Sequence, residues 1–525
     1  MNALSLDELY RLLSQQLSKQ EKKLRDIAAP ALLKNATISA KRIAYAVKKH
    51  QKITIVGDYD VDGVTSSSIM ALFFKQINYP VSCIIPNRFI DGYGINKNIL
   101  KRIDADIIIT VDNGITAIEA AQICKSRNID LIITDHHTPS DILPDAYAIV
   151  NPKQTGCKYP FKEICGAQVA WLLLGLIKTE LGVDVDLGEY LDLVTLAVIA
   201  DVMPLIDINR AIVKAGLKQM SISKRPAFMI IREFLNKQTI SSEDIAFSIA
   251  PRINAAGRLE DASLAFDFLT AGSTNKAAKA FELLNDLNSL RQQAQADTVE
   301  QASLHVNTDD KIIVAAGENW HEGVVGIVAS RLVNRYKKPA IVFNIQDGIA
   351  KGSARSLADV DIFAVINSQK ALLQKFGGHK MAAGLSLHVE NLDDFKKSIN
   401  RAAAKLDPKS FIPKEDVIGE LAYGAIGFEL LDILEKFEPY GEANPRPKFI
   451  IRQGRLISVS YFGAEKSHSR LTIELKPYIK QTVEILAFNK IIQNKKGKEM
   501  TCSYHVVKNT FNGKISPQCI LQELY

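Results

Sequence analysis

Three short apolar runs each end in a cluster of Asp, Asn or His. They are ITIVGDYDVDG at 53–63, DIIITVDNG at 106–114 and DLIITDHH at 130–137. Such runs have no polar face, so they read as strands buried on both sides. Helical patterns at 66–77 and about 116–127 separate them, and VSCII (81–85) is a further strand candidate. Buried strands alternating with helices predict a parallel sheet covered on both faces. Each cluster then falls at the carboxyl end of a strand, the edge where open α/β sheets bind ligands.

The clusters themselves carry chemistry. Asp58, Asp60 and Asp62 follow the first run at spacing two. In an extended chain that spacing puts three carboxylates on one side. Like charges so close repel unless cations neutralise them. One Asp after a strand is usually a turn or cap residue; three with a Gly are less often so. Asp112 follows the second run, and Asp135, His136 and His137 follow the third. Asp201, in AVIADVMPL, ends an otherwise apolar run, where a buried carboxylate needs a partner. On its own it reads as a helix-end or turn residue before Pro204. Together these groups form an oxygen-rich set with imidazole, which suits Mg²⁺ or Mn²⁺. Their number suits two ions ~3.5–4 Å apart, the arrangement for in-line phosphoryl displacement. No HExxH or Cys ligand set points to zinc.

The rest of the chain divides by pattern. Residues 1–50 read as helices rich in Lys and Arg, opened by a Ser5–Glu8 capping box. Residues 167–270 look mostly helical. Thr274 to about Leu304 reads as one long helix with a stripe of Leu283, Leu284, Leu287 and Leu290. KIIVAA (311–316) and PAIVF (339–343) flank a helix at about 323–336, a second α/β unit. Residues 405–415 are polar with two prolines and suit a linker. Beyond Phe449, short strand-like runs between turn residues predict a small β-barrel or sandwich.

Charge is distributed unevenly. The whole chain carries +7, but residues 446–525 hold 14 basic and 5 acidic residues, a net of +9. The other 445 residues hold 51 basic and 53 acidic, a net of −2. A localised basic region suits either a polyanion-binding module or a merely soluble basic domain. In such a module Tyr461, Phe462 and Tyr478 are candidate base-stacking residues. The six cysteines form no CxxC pair, which suits a reducing compartment. There is no signal-peptide pattern, and the longest apolar stretch, around Ala167–Ile177, is too short to span a bilayer. These features predict a cytoplasmic protein with no membrane partner.

The order GDYDVDG, VDNG, TDHH, ADVMPL resembles that of the DHH phosphoesterase superfamily. RINAAGR (252–258), GSARS (352–356), GGHKMAAG (377–384) and FEPYGEANPRPKF (437–449) resemble further motifs of one branch, the bacterial single-strand-specific 5′→3′ exonucleases. The match runs from about residue 50 to the C-terminus. One departure is that Ala197-Val198 stand where the family usually has Gly-Thr before the fourth motif's Ala-Asp.

The resemblance implies an α/β fold. A parallel-sheet DHH domain (51–272) would be joined by a connecting helix (273–306) to a second α/β DHH-associated domain (307–405). An N-terminal helical segment (1–50), a linker and lead-in (406–448), and an all-β OB-fold (449–525) would complete it. It also implies that Asp58, Asp60, Asp62, Asp112, His136 and Asp201 hold two divalent cations, Mn²⁺ or Mg²⁺. His137, with Asp135, would act in catalysis, as a ligand or by orienting or protonating a scissile-phosphate oxygen; the alternative is that His137 holds Asp135 or a backbone carbonyl in place. Arg88, Arg252, Asn254, Arg258, Ser353, Arg355 and His379 would bind substrate, and of these Arg88, Arg258, Ser353 and Arg355 would capture the terminal 5′-phosphate. The implied activity is release of 5′-mononucleotides from single-stranded DNA in repair and recombination. A helicase and a single-strand-binding protein are the implied partners. Two alternatives remain: a DHH phosphoesterase acting on small molecules or nanoRNA, and a non-catalytic single-strand-binding replication scaffold. Relatives of the first kind usually lack the OB-like tail, and those of the second lose metal ligands.

Overall fold

A computed structural model describes residues 3–18, 22–414, 416–422, 424–475, 481–493, 496–511 and 513–525. They form two units, and the chain enters each more than once. The larger holds Ala28–Asp201 and Ala215–Lys414; the smaller holds Met1–Ile27, Val202–Lys214 and Glu415–Tyr525.

In the larger unit the apolar runs form a parallel sheet. Its strands are β1 (Ile53–Val56), β2 (Ser82–Ile84), β3 (Ile107–Val111), β4 (Asp130–Thr134) and β5 (Ala148–Val150), in the order β2-β1-β3-β4-β5. Val56 pairs with Thr110 and Val111 with Thr134, so the ends of β1, β3 and β4 lie nearly level. That register brings the polar clusters to one edge.

Helix α1 (Val61–Gln76) begins five residues before the expected 66. Asp60 is its N-cap and accepts a hydrogen bond from Gly63 N at 3.0 Å. Asp58, Asp60 and Asp62 therefore do not line one side of an extended chain. Asp58 lies in the loop, Asp60 caps, and Asp62 sits in the first helical turn. The early start was hidden by small polar residues that satisfy themselves within the helix. Ser67 and Ser68 hydroxyls donate to the Gly63 and Val64 carbonyls at 2.8 Å. Helices α2 (Gly166–Leu181), α3 (Leu191–Ala200) and α4 (Ala250–Leu259) follow. Ala197 and Val198, the family departure, are both buried in α3.

Helix α5 (Thr274–Leu304) runs its full expected length. Its buried face is Ala277, Phe281, Leu284, Leu287, Asn288 and Arg291, whereas Leu283 and Leu290 are exposed. The 3.6-residue period selects that face and turns the other two leucines outward.

A second sheet comprises β6 (Ile313–Glu318), β7 (Ala340–Gln346), β8 (Ile349–Arg355), β9 (Lys375–His379) and β10 (Ala382–His388). Its order is β6-β7-β8-β10-β9, with α6 (Glu322–Tyr336) between the parallel strands β6 and β7. GSARS thus lies on β8 as far as Arg355, and GGHKMAAG is the β9–β10 hairpin, which turns at Lys380-Met381. A Cβ on Gly352 would lie 2.5 Å from the Phe343 ring, and one on Gly378 would lie 2.4 Å from Ala382 O. These two glycines serve packing.

In the smaller unit, β11 (Val417–Gly419) adjoins a barrel of β12 (Lys448–Phe462), β13 (His468–Glu474), β14 (Thr482–Ala487), β15 (Glu499–Phe511) and β16 (Lys514–Leu524). The order β12-β13-β14-β16-β15 closes through pairing of β15 with β12, the five-stranded OB arrangement. β12 and β15 are long rather than short, and β12 bends at register shifts between Ile451/Gly454 and Leu456/Ser458. The segment expected as one N-terminal unit divides at Ile27. Leu9 and Leu13, from the helix Leu6–Ser18, share one apolar core with Leu431, Phe449 and Tyr504. Arg210 donates to the carbonyls of Phe437, Glu438 and Pro439 at 2.9, 2.7 and 3.1 Å. No helix among the described residues is long and apolar enough to cross a membrane.

Candidate metal centre and phosphate cluster

The level strand ends deliver Asp58, Asp112 and His136, α1 brings Asp60 and Asp62, and Asp201 is the C-cap of α3. Their potential ligand atoms gather in overlapping groups: Asp58, Asp60 and Asp112; Asp62, His136 and Asp201; Asp112, His136 and His137. Within each group those atoms lie within 4.8 Å of one another. His136 Nε2 lies 3.2 Å from Asp112, 3.5 Å from Asp201 and 3.6 Å from Asp62. All six residues of the expected ligand set thus meet in one nest.

Two backbone devices hold the nest. The Asp62 carboxylate accepts from Gly166 N at 2.6 Å and Ala167 N at 2.8 Å, at the positive N-terminus of α2. Asp112 has φ +63°, a left-handed conformation that Asp and Asn adopt more readily than most residues other than Gly. Asn113 braces that turn: its amide donates to Val56 O and Val111 O at 3.0 and 2.9 Å. The sequence placed Asn113 at this edge within VDNG but gave it no role, and it did not signal α2 as part of the site. Gly166 is required there by space, since a Cβ on it would lie 2.6 Å from Asp112 Cβ. Gly166→Ala is expected to displace the Asp112 carboxylate and weaken Mn²⁺ binding by about 10–100-fold. Isothermal titration of Mn²⁺ into the variant checks this.

The donor set fits hard divalent cations on grounds internal to the nest. Asp58 Oδ1, Asp112 Oδ1, Asp201 Oδ2 and His136 Nδ1 are buried and have no hydrogen-bond partner among the described residues. Leaving such atoms unsatisfied is costly. Burial first, then neighbouring carboxylates, raises the carboxyl groups of Asp58, Asp60 and Asp112 above the usual range. The same causes push Asp201 up to about 8. Burial lowers His136 and favours the neutral imidazole that metals bind.

His137 differs. Burial works against its charged form, but its hydrogen bond to Asp135 and the charges of Asp135, Asp201 and Asp60 outweigh that and raise it to about 9. Its Nδ1 lies 2.8 Å from Asp135 Oδ1 and 4.0 Å from Asp112 Oδ1. Asp135, expected in the catalytic pair, is buried with both oxygens engaged. It accepts from the amides of Ile115, His136 and His137 at 2.9, 2.7 and 3.0 Å. It has no face for substrate, and its place is behind His137.

A second cluster lies around the start of α6. Arg355 Nη1 donates to Ser353 Oγ at 2.9 Å, and a Cβ on Gly326 of α6 would come within 3.0 Å of Arg355 Nη2. Arg258 Nη1 donates to Gly323 O at 3.3 Å. Burial, and then the charge of Arg88, lowers Arg258 to about 10. None of Arg88, Arg258 and Arg355 forms an ion pair among the described residues. Half-buried guanidinium groups without an ion pair suit an anionic ligand. His321 caps α6, accepting from Gly323 N at 3.1 Å, and its ring packs on Phe89 at 5.4 Å. It was missed in the sequence, where only its place between a strand and a helix marked it.

Three expected substrate residues sit otherwise. Arg252 lies over the Phe234 ring at 4.3 Å and donates to Ser248 O and Asn285 Oδ1, at 2.5 and 3.0 Å. Asn254 accepts from Val61 N at 3.3 Å and so fastens the start of α1. Both are engaged by protein. The His379 side chain is exposed at the end of β9. In the barrel, Tyr461 is exposed and its hydroxyl donates to Ile492 O at 2.9 Å. Phe462 packs against His468 and Phe488. Tyr478 lies outside the described residues.

Comparison with known proteins agrees with this arrangement. Residues 52–198 match the DHH family N-terminal domain, 309–405 the DHHA1 domain and 419–523 the RecJ OB domain. The chain is 31% identical to the single-stranded-DNA-specific exonuclease RecJ of Haemophilus influenzae, over 98% of this chain and 95% of that one. It is 37% identical to the Bacillus subtilis protein of the same name, over 89% of this chain, and spans only 60% of that longer relative. The crystal structure of RecJ in complex with Mn²⁺ from Thermus thermophilus superposes with a TM-score of 0.81 at 30% identity, covering 94% of this chain and 72% of that one. On identity across nearly the full length of a relative, three matched domains and a shared fold, the chain belongs to the RecJ family of single-stranded-DNA-specific exonucleases.

Proposed function

We propose that this metal-dependent exonuclease removes 5′-mononucleotides from single-stranded DNA in the 5′→3′ direction. One observation carries the reading: in one unit, a nest of buried carboxylate oxygens without hydrogen-bond partners accompanies arginines without ion pairs among the described residues. The first suits cations and the second suits a phosphate. Asp58, Asp60, Asp62, Asp112, His136 and Asp201 would hold two cations, Mn²⁺ or Mg²⁺. Such ions supply Lewis-acid activation of water and of the phosphodiester.

The chain's own residues do the rest. Asp62 is held by the α2 amides and His136 is kept neutral, so both stay ready as ligands. His137, held by Asp135 and biased by it towards the protonated form, presents a donor to a phosphate oxygen. Arg88, Arg258, Arg355 and Ser353 grip the terminal 5′-phosphate, which selects the end that is cut. The basic barrel binds the trailing strand through its phosphates. We further propose that the enzyme works in the cytoplasm, in repair and recombination, alongside a helicase and a single-strand-binding protein.

Mn²⁺-dependent digestion of an end-labelled single strand, beside its duplex, tests the reading. Mononucleotides should appear from the 5′ end of the single strand alone. Rapid cleavage of dinucleotides with no action on longer strands would instead make the chain a small-molecule phosphoesterase. Arg355→Ala is expected to impair 5′-phosphorylated ends more than 5′-hydroxyl ends, by about 1–3 kcal/mol. Paired measurements of kcat/KM on the two ends check it.

A further inference from the structure

Residues 86–95 form a loop between β2 and β3 whose role so far is confined to Arg88. Its aromatic side chains connect the two clusters. The Tyr93 ring stands edge-on to His137, with centroids 6.4 Å apart at 90°, and edge-on to Tyr59, at 6.1 Å and 81°. The Arg88 guanidinium lies over the Tyr59 ring at 5.2 Å. His137, Tyr93, Tyr59 and Arg88 therefore form an unbroken line from the carboxylate nest to the arginines. Phe89 extends it to His321, at the start of α6.

The rings are firmly mounted. Asn87 Oδ1 accepts from Phe89 N and Ile90 N, at 3.0 and 3.3 Å, and its own amide donates to Glu260 O at 3.0 Å. Asp91 accepts from Asn87 N at 2.9 Å and pairs with Arg102 at 2.8 Å. Ile95 N donates to Asn113 Oδ1 at 3.0 Å, so the residue that braces Asp112 also braces this loop. Beneath the loop, Tyr59 is clamped: a Cβ on Gly257 would lie 2.3 Å from Tyr59 O. Despite these anchors Tyr93 remains 48% exposed. The result is an aromatic surface that is fixed in place yet open to a ligand.

A nucleotide with its 5′-phosphate among the arginines and its 3′-phosphodiester at the carboxylates would meet this line of rings. We propose that Tyr93, backed by Tyr59, sets the register of cleavage: the terminal nucleoside rests against its ring, which holds the first phosphodiester at the carboxylates. Aromatic contact accepts any base, since every base has a π-face. This proposal rests on the function proposed above and adds to it a residue that counts. Tyr93 is a positioning and specificity residue; it does no bond chemistry.

The test compares wild type, Tyr93→Ala and Tyr93→Phe on a 5′-phosphorylated single strand with Mn²⁺, resolving products by length in the first turnover. Wild type should yield mononucleotides. Tyr93→Ala should raise the ratio of dinucleotide to mononucleotide on the order of tenfold and raise KM by a similar factor. Tyr93→Phe should restore single-nucleotide register, because the ring sets the spacing. An unchanged product ratio in Tyr93→Ala overturns the proposal. So does a Tyr93→Phe variant as misregistered as Tyr93→Ala, which would give the role to the hydroxyl. Loss in Tyr93→Ala of the melting-temperature increase that Mn²⁺ produces in wild type would also overturn it, by showing the ring to be a support of the carboxylate nest. Should Tyr93→Ala not fold, Tyr93→Leu, which keeps apolar bulk without a flat ring, takes its place under the same criteria. Failure of wild type to release mononucleotides would instead overturn the parent reading.

Discussion

Asp112→Asn is expected to stabilise the metal-free protein while nearly abolishing nucleotide release. Asn has almost the volume of Asp and tolerates the left-handed backbone found at this position, so the turn should survive. What changes is one charge among crowded carboxylates. Asp112 is buried, and its ionised form is opposed first by burial and then by Asp62, Asp60 and Asp58. Removing that charge should add about 1–3 kcal/mol to stability without metal. The same change removes an anionic ligand shared by two of the potential ion sites. Activity should fall roughly a thousandfold, the rate equivalent of several kcal/mol of lost charge stabilisation. Chelator-treated protein in a melting experiment reads the first effect, and initial rates in Mn²⁺ read the second. A variant that melts lower without metal, or that keeps wild-type rates, contradicts the assignment. Opposite signs are the mark of a site built for function at the expense of stability.

Metal-free protein should also lose stability as pH rises, and Mn²⁺ should reverse that loss. The carboxyls of Asp58, Asp60, Asp112 and Asp201 are raised in the fold. A carboxyl raised in this way contributes most stability below its unfolded value near 4. It loses that contribution as pH climbs through the folded value, about 8 for Asp201. His137, raised to about 9, acts in the same sense: its contribution is complete below about 6.5 and fades through 9. His136 is lowered, so its term runs the other way and is lost towards acid. The sum should cost a few kcal/mol between about pH 5 and 9. Because ligands bind cations in their deprotonated forms, the Mn²⁺-induced rise in Tm should grow across that range. A rise in Tm that is flat with pH would separate cation binding from these groups.

The nest was largely legible because a parallel sheet turns linear order into position. Three apolar runs with polar ends suffice to bring Asp58, Asp112 and His136 to one edge once the strands align. The local geometry was less legible. Alternate Asp residues suggested an extended chain, whereas Asp60 starts a helix whose small hydroxyl residues gave no apolar period. KGSARS and GGHKMAAG carry no strand signal because glycine often marks turns; here glycine makes room for Phe343 and for the neighbouring strand. Asn113, Gly166 and His321 act through backbone or space, and such roles leave only weak traces in residue type. Arg252 and Asn254 show the converse: residues inside a motif whose contacts are with protein. The leucines of α5 were half misplaced, since a leucine-rich surface does not reveal its phase until the opposing helices are known.

The smaller unit is assembled from three separated stretches of chain. During synthesis, the helix carrying Leu9 and Leu13 emerges before the larger unit, yet the barrel strands that cover those side chains emerge after it. At about 5–20 residues per second, roughly 400 residues of waiting amount to some 20–80 s. Throughout that interval the apolar stripe of the nascent helix has no mate, while the larger unit can already collapse around its own sheet. Closure of the smaller unit therefore waits for its last strands, and until they arrive the helix offers that stripe to a chaperone.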